Sequence, residues 1–594
     1  MGKKIALDVH GGQKVTVRPK DVALLHPGPL SSFGSLNPPD GDILTAWELL
    51  AGETTSLEEL AELAFDEFTP ATAWAIWQAV EEGVYFHGTA VQITVHTEKE
   101  VQAIEQTRAA KAAEEAAWDD FLARMKAKKL GEEDGRFLQD TVGVAKGLQN
   151  RSRVLKALGR SETPEQAHRL LLDVGYWDEF VNPYPTRLEA TTTSNSAPLP
   201  ELPDEERRDL THLVSLAIDD EGSTDPDDAL SWDNGRLWVH IADVAAIVTP
   251  DSLADLEARA RGANLYLPEG IITMLPDEAT NLLALGLSET SPALSFRLDI
   301  AEDGTIANVE IVPSWVRVTR LSYAEAINRL DESPFKELYE LARLYEARRI
   351  ANEAVQIDLP EIKVRVKDGV VEIRPLPPLK SRDLVREAML MTGEAVAHFA
   401  RDNQIPLPYT VQDPPNEIVE GETPADMFAR RKTMQRSQPS SSPDRHSGIG
   451  MDNYVQSTSP LRRYLDLVVH QQLRAFLRDE PMLDGQELME RVGAADAVSG
   501  SVRQAERQSI QHWIMVYLLQ NPKWQGDAIV IDQRGKRHLC LIPELAIETN
   551  INSRQSLPLN SMIRIELTRV NLPDLEASFR QIDSSEQSAV NSQQ

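Results

Sequence analysis

Apolar and polar residues alternate along the first part of the chain. The stretch KKIALDVHGGQKVTVRPKDVALL repeats with a period of two residues, which is typical of strands. The segment that follows it, HPGPLSSFGSLNPPDGD, is rich in residues that form turns. Together the two patterns predict a small β module over residues 1–40.

A helical period replaces this alternation over residues 41–97. Ser56 precedes one apolar helical repeat as its N-cap, Thr69 precedes a second, and Gly83 ends it ahead of two short strands. Helix, turn, helix and two strands predict a winged helix-turn-helix. Its second helix, TPATAWAIWQAVEEG, contains no Arg or Lys, so binding of duplex nucleic acid and a protein-contact or purely structural role both stay open.

The remaining segments differ clearly in composition. Residues 98–181 are rich in Ala and charged residues and predict a helical region, and Pro, Ser and Thr predict a linker over residues 182–208. Strand and helix periods mix over residues 209–520, so we expect one large α/β (mixed α+β) domain there. Residues 521–583 have the size and strand content of a small OB-type β-barrel, and residues 584–594 predict a disordered tail.

Composition sets limits on the function. The chain has 594 residues, of which 41% are hydrophobic, so it can bury several cores, and three to five domains are expected. No apolar run has the length of a membrane span, and the single cysteine, Cys540, agrees with a reducing compartment. We therefore expect a cytoplasmic monomer that does not bind membranes. The net charge of -32 argues against attraction of nucleic acid to the whole surface, but it allows a local basic channel.

One short segment concentrates negative charge. The stretch LAIDDEGSTDPDDALSW places six carboxylates within ten residues, between two segments that alternate like strands. Four of these side chains can converge from such a loop, and they would then need protons or a cation: Asp219, Asp225, Asp227 and Asp228. Oxygen ligands favour Mg²⁺, Mn²⁺ or Ca²⁺ over zinc, and Mg²⁺ at a phosphate fits this loop better than a calcium EF-hand. A solvated acidic loop is the alternative interpretation.

A basic segment lies far downstream. In STSPLRRYLDL, Ser459 is predicted as a helix N-cap with Pro460 at the first helical position, which places Arg462 and Arg463 in the opening turn. Two cations at a helix N-terminus oppose the helix dipole, so either they face solvent or they bind an anion such as a phosphodiester. An Arg462–Asp466 pair on a surface helix is the simpler explanation. Metal-binding carboxylates together with phosphate-binding arginines are what phosphodiester hydrolysis requires.

These motifs resemble those of the ribonuclease II family, whose catalytic domain is called RNB. The resemblance covers roughly residues 212–519 and rests on five motifs in the same order: IDDEGSTDPDDAL, LWVHIADVAAIV, LYLPEGIITMLP, YVQSTSPLRRYLDLVVHQ and RQAERQ. It implies a processive exoribonuclease that removes 5′-mononucleotides from the 3′ end of single-stranded RNA. The C-terminal segment likewise resembles an S1 barrel.

The resemblance also implies roles for individual residues. The four aspartates, Asp219, Asp225, Asp227 and Asp228, would hold Mg²⁺ and the attacking water, with Asp227 the most closely tied to the chemistry. Arg462 would bind the scissile phosphate. Tyr266 would stack on the last base, Glu506 would bind near the terminal nucleotide, and Tyr323 matches a further family tyrosine.

The sequence departs from the family pattern in two places. The pair of cold-shock-like barrels usual at the N-terminus is not evident, and no second stacking aromatic is found near LPEIKVRVKDG. Two other functions therefore remain as alternatives. One is a non-catalytic winged-helix regulator that binds RNA or DNA, and the other is a metal-dependent phosphatase for small phosphate esters.

Overall fold

The computed structural model describes residues 4–10, 12–37, 40–535, 537–553 and 556–582. The chain forms two compact units, Met1–Phe137 and Leu138–Gln594. The tail predicted for residues 584–594 lies outside the described residues. Among the described residues, no helix combines the length and the apolar character needed to cross a bilayer.

Among the described residues, the first unit begins with a β-hairpin and continues as four α-helices and a small sheet. Its elements in chain order are β1 (Ile5–Val9), β2 (Gln13–Val17), α1 (Ile43–Leu50), β3 (Thr54–Thr55), α2 (Leu57–Phe65), α3 (Pro70–Glu82), β4 (Phe86–Thr89), β5 (Gln92–Val95) and α4 (Glu98–Lys126). The strands β3, β5 and β4 pair in that order, which gives the helix and strand sequence of a winged helix.

The local signals explain where these helices begin and end. The Ser56 hydroxyl accepts the Glu59 amide, Thr69 forms a capping box, and Gly83 ends α3 with a positive φ of 70°. Capping satisfies amides that have no partner inside the helix. The apolar faces of α2 and α3 pack against Phe86 and Ile93 of the sheet.

The second unit opens with short helices and an extended segment. The helices are α5 (Gln139–Ala145), α6 (Arg153–Ala157), α7 (Pro164–Asp173) and α8 (Tyr184–Arg187). The predicted linker is mostly extended, but it is not loose, because Leu199 and Leu202 pack against a hydrophobic core.

A seven-stranded sheet forms the centre of this unit. The elements of this region in chain order are β6 (Arg208–Asp209), β7 (Ser215–Asp219), β8 (Asp228–Asp233), β9 (Arg236–Ala242), α9 (Leu253–Arg261), β10 (Leu265–Leu267), β11 (Gly270–Ile272), α10 (Asp277–Leu283), β12 (Ser291–Ile300), β13 (Ile306–Val316), β14 (Val318–Ser322) and α11 (Tyr323–Ala326). The sheet has the strand order β14-β7-β8-β9-β12-β13-β6, and β10 and β11 form a separate hairpin.

The following elements cover the sheet and extend the unit. They are α12 (Phe335–Ala351), β15 (Glu361–Lys367), β16 (Val370–Leu376), α13 (Lys380–Asn403), β17 (Tyr409–Val411), α14 (Pro424–Thr433), β18 (Gln438–Ser440), α15 (Tyr464–Leu477) and α16 (Gly485–Gln520). Side chains alternate across a strand, so Leu216 and Ile218 face one core with α12 and α13, whereas Ala217 faces a second core with α9, α10 and α15. The sheet therefore lies between two helical layers.

The chain ends in a five-stranded barrel-like sheet. Its strands are β19 (Gln525–Arg534), β20 (Arg537–Ile542), β21 (Ile547–Asn552), β22 (Met562–Asn571) and β23 (Glu576–Gln581), paired in the order β21-β20-β19-β22-β23. The edge strands β21 and β23 also contact each other, which nearly closes the barrel. Cys540 is fully buried in its core, and burial raises the pKa of its thiol to about 11.

Candidate active site

The acidic loop connects two neighbouring strands of the large sheet. Asp219 is the last residue of β7, as the alternating pattern before the loop predicted, and Asp228 is the first residue of β8, a strand that the pattern did not predict. Gly222 has a positive φ of 77°, which lets the chain turn between the two halves of the loop. The loop therefore begins and ends on fixed strands, and these strands position its first and last carboxylates.

Asp227 lies in the most enclosed part of the loop. Its side chain is 1% exposed and its Oδ2 accepts the Arg462 Nε at 3.0 Å. Its Oδ1 accepts the Leu461 amide at 2.9 Å. Burial raises the pKa of Asp227 to about 7, with a smaller contribution from Asp228 and Asp225, while Arg462 and the Leu461 amide act against this. A raised pKa together with a cation at contact distance is typical of functional sites.

The carboxylates at the two strand ends have different surroundings. Asp219 accepts the Ser223 hydroxyl at 2.5 Å and the Asp220 amide at 2.7 Å. The Asp228 side chain has no hydrogen-bond partner within the described parts of the chain. Burial, with a smaller contribution from the charge of Asp219, raises its pKa to about 6, while Arg462 and Arg463 act against this. Asp228 is thus a partly buried carboxylate whose hydrogen-bonding capacity the described residues leave unused.

The arginine segment differs from its prediction. The helix α15 begins at Tyr464, so Ser459 is not its N-cap and Arg462 and Arg463 precede it. The backbone from Ser459 to Tyr464 bonds partly to distant segments, because the Asn264 amide donates to the Arg462 carbonyl at 3.0 Å and the Leu461 amide donates to Asp227. The amides of Arg462 and Arg463 both donate to the Ser459 carbonyl, so a single turn forms there ahead of α15.

The two arginines have separate partners. Arg462 contacts Asp227, whereas Arg463 donates to Asp466 at 2.6 Å, so the surface pair between Arg462 and Asp466 is not formed. Asp466 is fully buried and also accepts the Ser459 amide at 2.8 Å. Arg463 is therefore part of a structural ion pair, and Arg462 is left for the site.

Tyr266 joins the acidic loop to the long helix α16. Its hydroxyl donates to Asp225 Oδ2 at 3.1 Å, and its backbone amide donates to Glu506 Oε1 at 2.9 Å. The Asn264 side chain also reaches the Tyr266 hydroxyl, at 3.4 Å. Burial raises the pKa of Glu506. Three residues that are far apart in sequence thus meet, and Glu506 contacts the backbone that carries the tyrosine.

Tyr323 borders the first half of the loop. It is the first residue of α11, and the Arg382 guanidinium lies 4.3 Å from the centre of its ring. Burial raises the pKa of Tyr323, and the charges of Asp219 and Asp228 raise it further. The structure therefore brings all eight predicted site residues to one region: Asp219, Asp225, Asp227, Asp228, Tyr266, Tyr323, Arg462 and Glu506.

The four aspartates suit a hard cation by their chemistry. Each supplies carboxylate oxygens, and neither carboxylate oxygen of Asp228 is hydrogen-bonded to a described residue. Their arrangement is looser than expected, however. Within the described ranges, no three His, Cys, Asp or Glu side chains lie close enough to bind one ion. Asp225 and Asp227 are instead committed to Tyr266 and Arg462, so the predicted convergence on a single point is not found.

Asp228→Asn is expected to stabilise the metal-free protein in a pH-dependent way. The folded-state pKa is raised from 3.8 to about 6, so the native state binds more protons than the unfolded state within that window. The parent protein therefore loses stability as pH rises through the window, and the neutral variant does not. In EDTA, we expect a gain of roughly 2 kcal/mol at pH 8 that disappears near pH 4. Chemical denaturation at both pH values measures it.

Asp233→Asn is the matched control, because Asp233 lies at the other end of β8. It should leave the stability unchanged at both pH values. An equal gain for Asp228→Asn at pH 4 and pH 8 would contradict the electrostatic explanation.

Sequence reasoning missed several partners of these residues. The Leu461 amide has no sequence signal, since any residue supplies one. Asp220 is bound by Lys363 at 2.7 Å and by Arg382, and the Arg365 guanidinium donates to the Glu221 carbonyl at 3.1 Å. The alternating lysines and arginines of IKVRVK would have pointed to a basic strand face.

Three models of known domains match consecutive parts of the chain. The double HTH domain matches residues 101–183, and the RNB domain matches residues 207–427 and 420–479. The C-terminal S1 domain of ribonuclease II-type exonucleases matches residues 524–582. These matches confirm the fold class expected from the sequence, with an N-terminal helix-turn-helix region, a mixed α/β centre and a C-terminal barrel.

Known proteins show the same organisation. An uncharacterized ribonuclease of Synechocystis is 30% identical over 587 residues, covering 91% of this chain and 88% of the relative. A Dss1 exoribonuclease from Candida glabrata has a similar structure, with a TM-score of 0.65, 19% identity and coverage of 88% of this chain and 79% of that one.

A second solved structure is a ribonuclease R from Mycoplasma genitalium in complex with ribose-methylated single-stranded RNA. Its TM-score is 0.56 at 18% identity, and the match covers 71% of this chain and 79% of that chain. At these identities, the two structural similarities are evidence for the fold alone.

Proposed function

Because the chain belongs to the ribonuclease II family, we propose that it is a Mg²⁺-dependent, processive exoribonuclease that hydrolyses single-stranded RNA from the 3′ end to 5′-mononucleotides. The observation that carries the proposal is the contact of Asp227 with Arg462 and the Leu461 amide. It brings the acidic loop and the arginine segment, which lie 234 residues apart, into one site.

The carboxylates and Arg462 have complementary roles in this proposal. Asp219, Asp225, Asp227 and Asp228 would hold Mg²⁺, which when bound polarises the phosphate and activates a water molecule. Ribonucleases of this family are generally metal-dependent, which supports this role. Arg462 donates hydrogen bonds to the scissile phosphate and stabilises the charge that develops on it. When Arg462 turns from Asp227 to the phosphate, the Leu461 amide keeps the Asp227 side chain oriented.

Tyr266 and Glu506 would hold the RNA end. Stacking on an aromatic ring does not depend on base identity, which suits an enzyme that moves along any sequence. Glu506 accepts the Tyr266 backbone amide and so positions the strand that carries this ring. Tyr323 contributes a second aromatic side chain beside Asp219 and Asp228.

The test is digestion of RNA with a 3′ single-stranded extension, labelled at the 5′ end in one sample and on the 3′-terminal nucleotide in a second. We expect mononucleotides as the first products, progressive shortening from the 3′ end, and loss of turnover in EDTA. An RNA whose 3′ end lies within a duplex distinguishes degradation of single strands from degradation of duplex. Release of internal fragments, or equal activity in EDTA, would contradict the proposal.

The winged helix is a candidate contact for duplex RNA. We also propose that the protein is a monomer and lies in the cytoplasm.

Tyr266→Ala is expected to weaken RNA binding. Loss of base stacking removes roughly 1–3 kcal/mol, which corresponds to about 5- to 150-fold in Kd. Tyr266→Phe keeps the ring, loses only the hydrogen bonds of the hydroxyl with Asp225 and Asn264, and should bind RNA almost as well as the parent. Fluorescence anisotropy in an Asp227→Asn background, where cleavage is blocked, measures both. Equal weakening in the two variants would indicate that the hydroxyl, not the ring, binds RNA.

A further inference from the structure

Four basic side chains surround the first half of the acidic loop. We call Arg320, Lys363, Arg365 and Arg382 the basic rim. Lys363 and Arg382 both bind the Asp220 carboxylate. Arg365 donates to the Glu221 carbonyl at 3.1 Å, and Arg320 donates to the Ser223 carbonyl. The rim therefore contacts three loop residues between Asp219 and Asp225, in the half of the loop away from Arg462.

The rim is supplied by three separate elements. Arg320 lies on β14, Lys363 and Arg365 lie on β15, and Arg382 lies in the first turns of α13. On β15, Ile362, Val364 and Val366 pack into a hydrophobic core, so the alternate residues face the loop. Strand alternation therefore directs Lys363 and Arg365 toward the acidic loop, and the apolar face behind them fixes β15.

The cations of the rim are incompletely paired by direct contacts. Lys363 and Arg382 share a single carboxylate, and the partners of Arg320 and Arg365 are carbonyl oxygens, which carry no net charge. Two of the four cations thus have no directly bound anion, although the loop carries further carboxylates. Guanidinium groups that contact only neutral oxygens keep the capacity to bind a phosphate oxygen.

The rim lies directly beside the proposed catalytic residues. Asp220 follows Asp219 in the chain, and Arg382 contacts both Asp220 and the ring of Tyr323. Lys363 and Arg382 are about one-third exposed, at 35% and 31%, so solvent reaches part of each side chain. Position and exposure are therefore suitable for a phosphate next to the scissile one.

We propose that the basic rim binds a backbone phosphate of the substrate RNA adjacent to the scissile phosphate, and that Asp220 is an internal stand-in ligand which this phosphate displaces. The inference rests on the proposed function and adds a second phosphate site to it. Since phosphate oxygens accept hydrogen bonds from Lys and Arg as a carboxylate does, the same side chains serve both ligands. A site that binds only backbone phosphate has no base specificity, because phosphate contacts carry no sequence information.

The test compares RNA affinities of charge-altered variants in an Asp227→Asn background. The probe is a labelled single-stranded oligouridylate, titrated at several KCl concentrations. Lys363→Gln and Arg382→Gln should each weaken binding and lower the slope of log Kd against log salt by about 0.7, which is the value for one lost phosphate contact. Asp220→Asn should strengthen binding about 3- to 10-fold, because it frees two cations, in keeping with ordinary charge-pair effects.

The sign of the Asp220→Asn effect separates this proposal from a purely structural role. If Asp220 only holds the loop in place, its replacement weakens RNA binding or leaves it unchanged, and the proposal is overturned. Unchanged salt slopes for both rim variants overturn it equally. Lys336→Gln is the control, since Lys336 is an exposed lysine paired with Glu340 on α12, and it should change neither affinity nor slope.

The same data keep the two proposals apart. If the Asp227→Asn background binds RNA and the unmodified chain degrades it, the proposed function stands whatever the rim variants do. If the unmodified chain neither binds nor degrades RNA, both proposals fail. Circular dichroism of each variant establishes that changes in affinity do not come from unfolding.

Discussion

Replacement of Asp227 by Asn is expected to abolish RNA cleavage and to leave RNA binding intact. Asn keeps an oxygen that can accept the Leu461 amide, so the local backbone is preserved. It removes the negative charge at the centre of the carboxylate group, and we expect the single-turnover cleavage rate to fall by about 10³-fold or more. Because Arg462 also loses its internal partner, it becomes free to bind phosphate, and the affinity for RNA should be equal or higher.

Asp233→Asn is again the appropriate comparison. It makes the same chemical change on the same strand, β8, at the end distant from the loop. It should cleave RNA at the parent rate. Undiminished cleavage by Asp227→Asn would refute the assignment of Asp227, and loss of both cleavage and RNA binding would indicate that the substitution disrupts the fold.

The second large effect is expected from replacing the adjacent Arg462 and Arg463, because one replacement should impair cleavage and the other stability. Arg462 lies at the site, so Arg462→Ala should lower the cleavage rate by about 10²–10³-fold, as for loss of a donor to a developing negative charge. Arg463 is bound to the buried Asp466, so Arg463→Ala should lower the free energy of unfolding by roughly 3–5 kcal/mol. Cleavage kinetics and urea denaturation of both variants measure the two effects.

Arg462→Lys refines the first of these expectations. Lysine keeps the positive charge but lacks the planar group of five donors, so it should recover only part of the lost rate. Full recovery would mean that charge alone matters. If Arg462→Ala unfolded as readily as Arg463→Ala, the division between a catalytic and a structural arginine would be wrong.

Much of the fold follows from the periodicity of the sequence. Strand alternation predicted β7 and β9 on either side of the acidic segment but not β8, and caps at Ser56 and Thr69 predicted the beginnings of α2 and α3. These features depend on neighbouring residues, so the local sequence contains the information for them. The start of α15 does not follow from the local sequence. The Leu461 amide binds Asp227 and the Arg462 carbonyl accepts the Asn264 amide, so distant segments help to decide where the helix begins.

In the candidate site, too, some features could be predicted from the sequence and others could not. The types of its residues were predictable, since carboxylates, arginines and a tyrosine in this order resemble a known family. Their exact pairing was not. The Tyr266 amide meets Glu506 across 240 residues, and the Asp220 carboxylate meets Lys363 across 143. Such contacts depend on how distant elements pack, and a single sequence does not report packing.

The buried Cys540 makes opening of the terminal barrel directly measurable. It is the only cysteine of the chain, and its side chain is fully enclosed by β19, β21 and their neighbours. A thiol reagent can modify it only after the strands separate, and the rate of modification then reports how often they do so. Labelling with and without RNA would therefore measure, without any engineered probe, whether RNA binding reduces transient opening of the barrel.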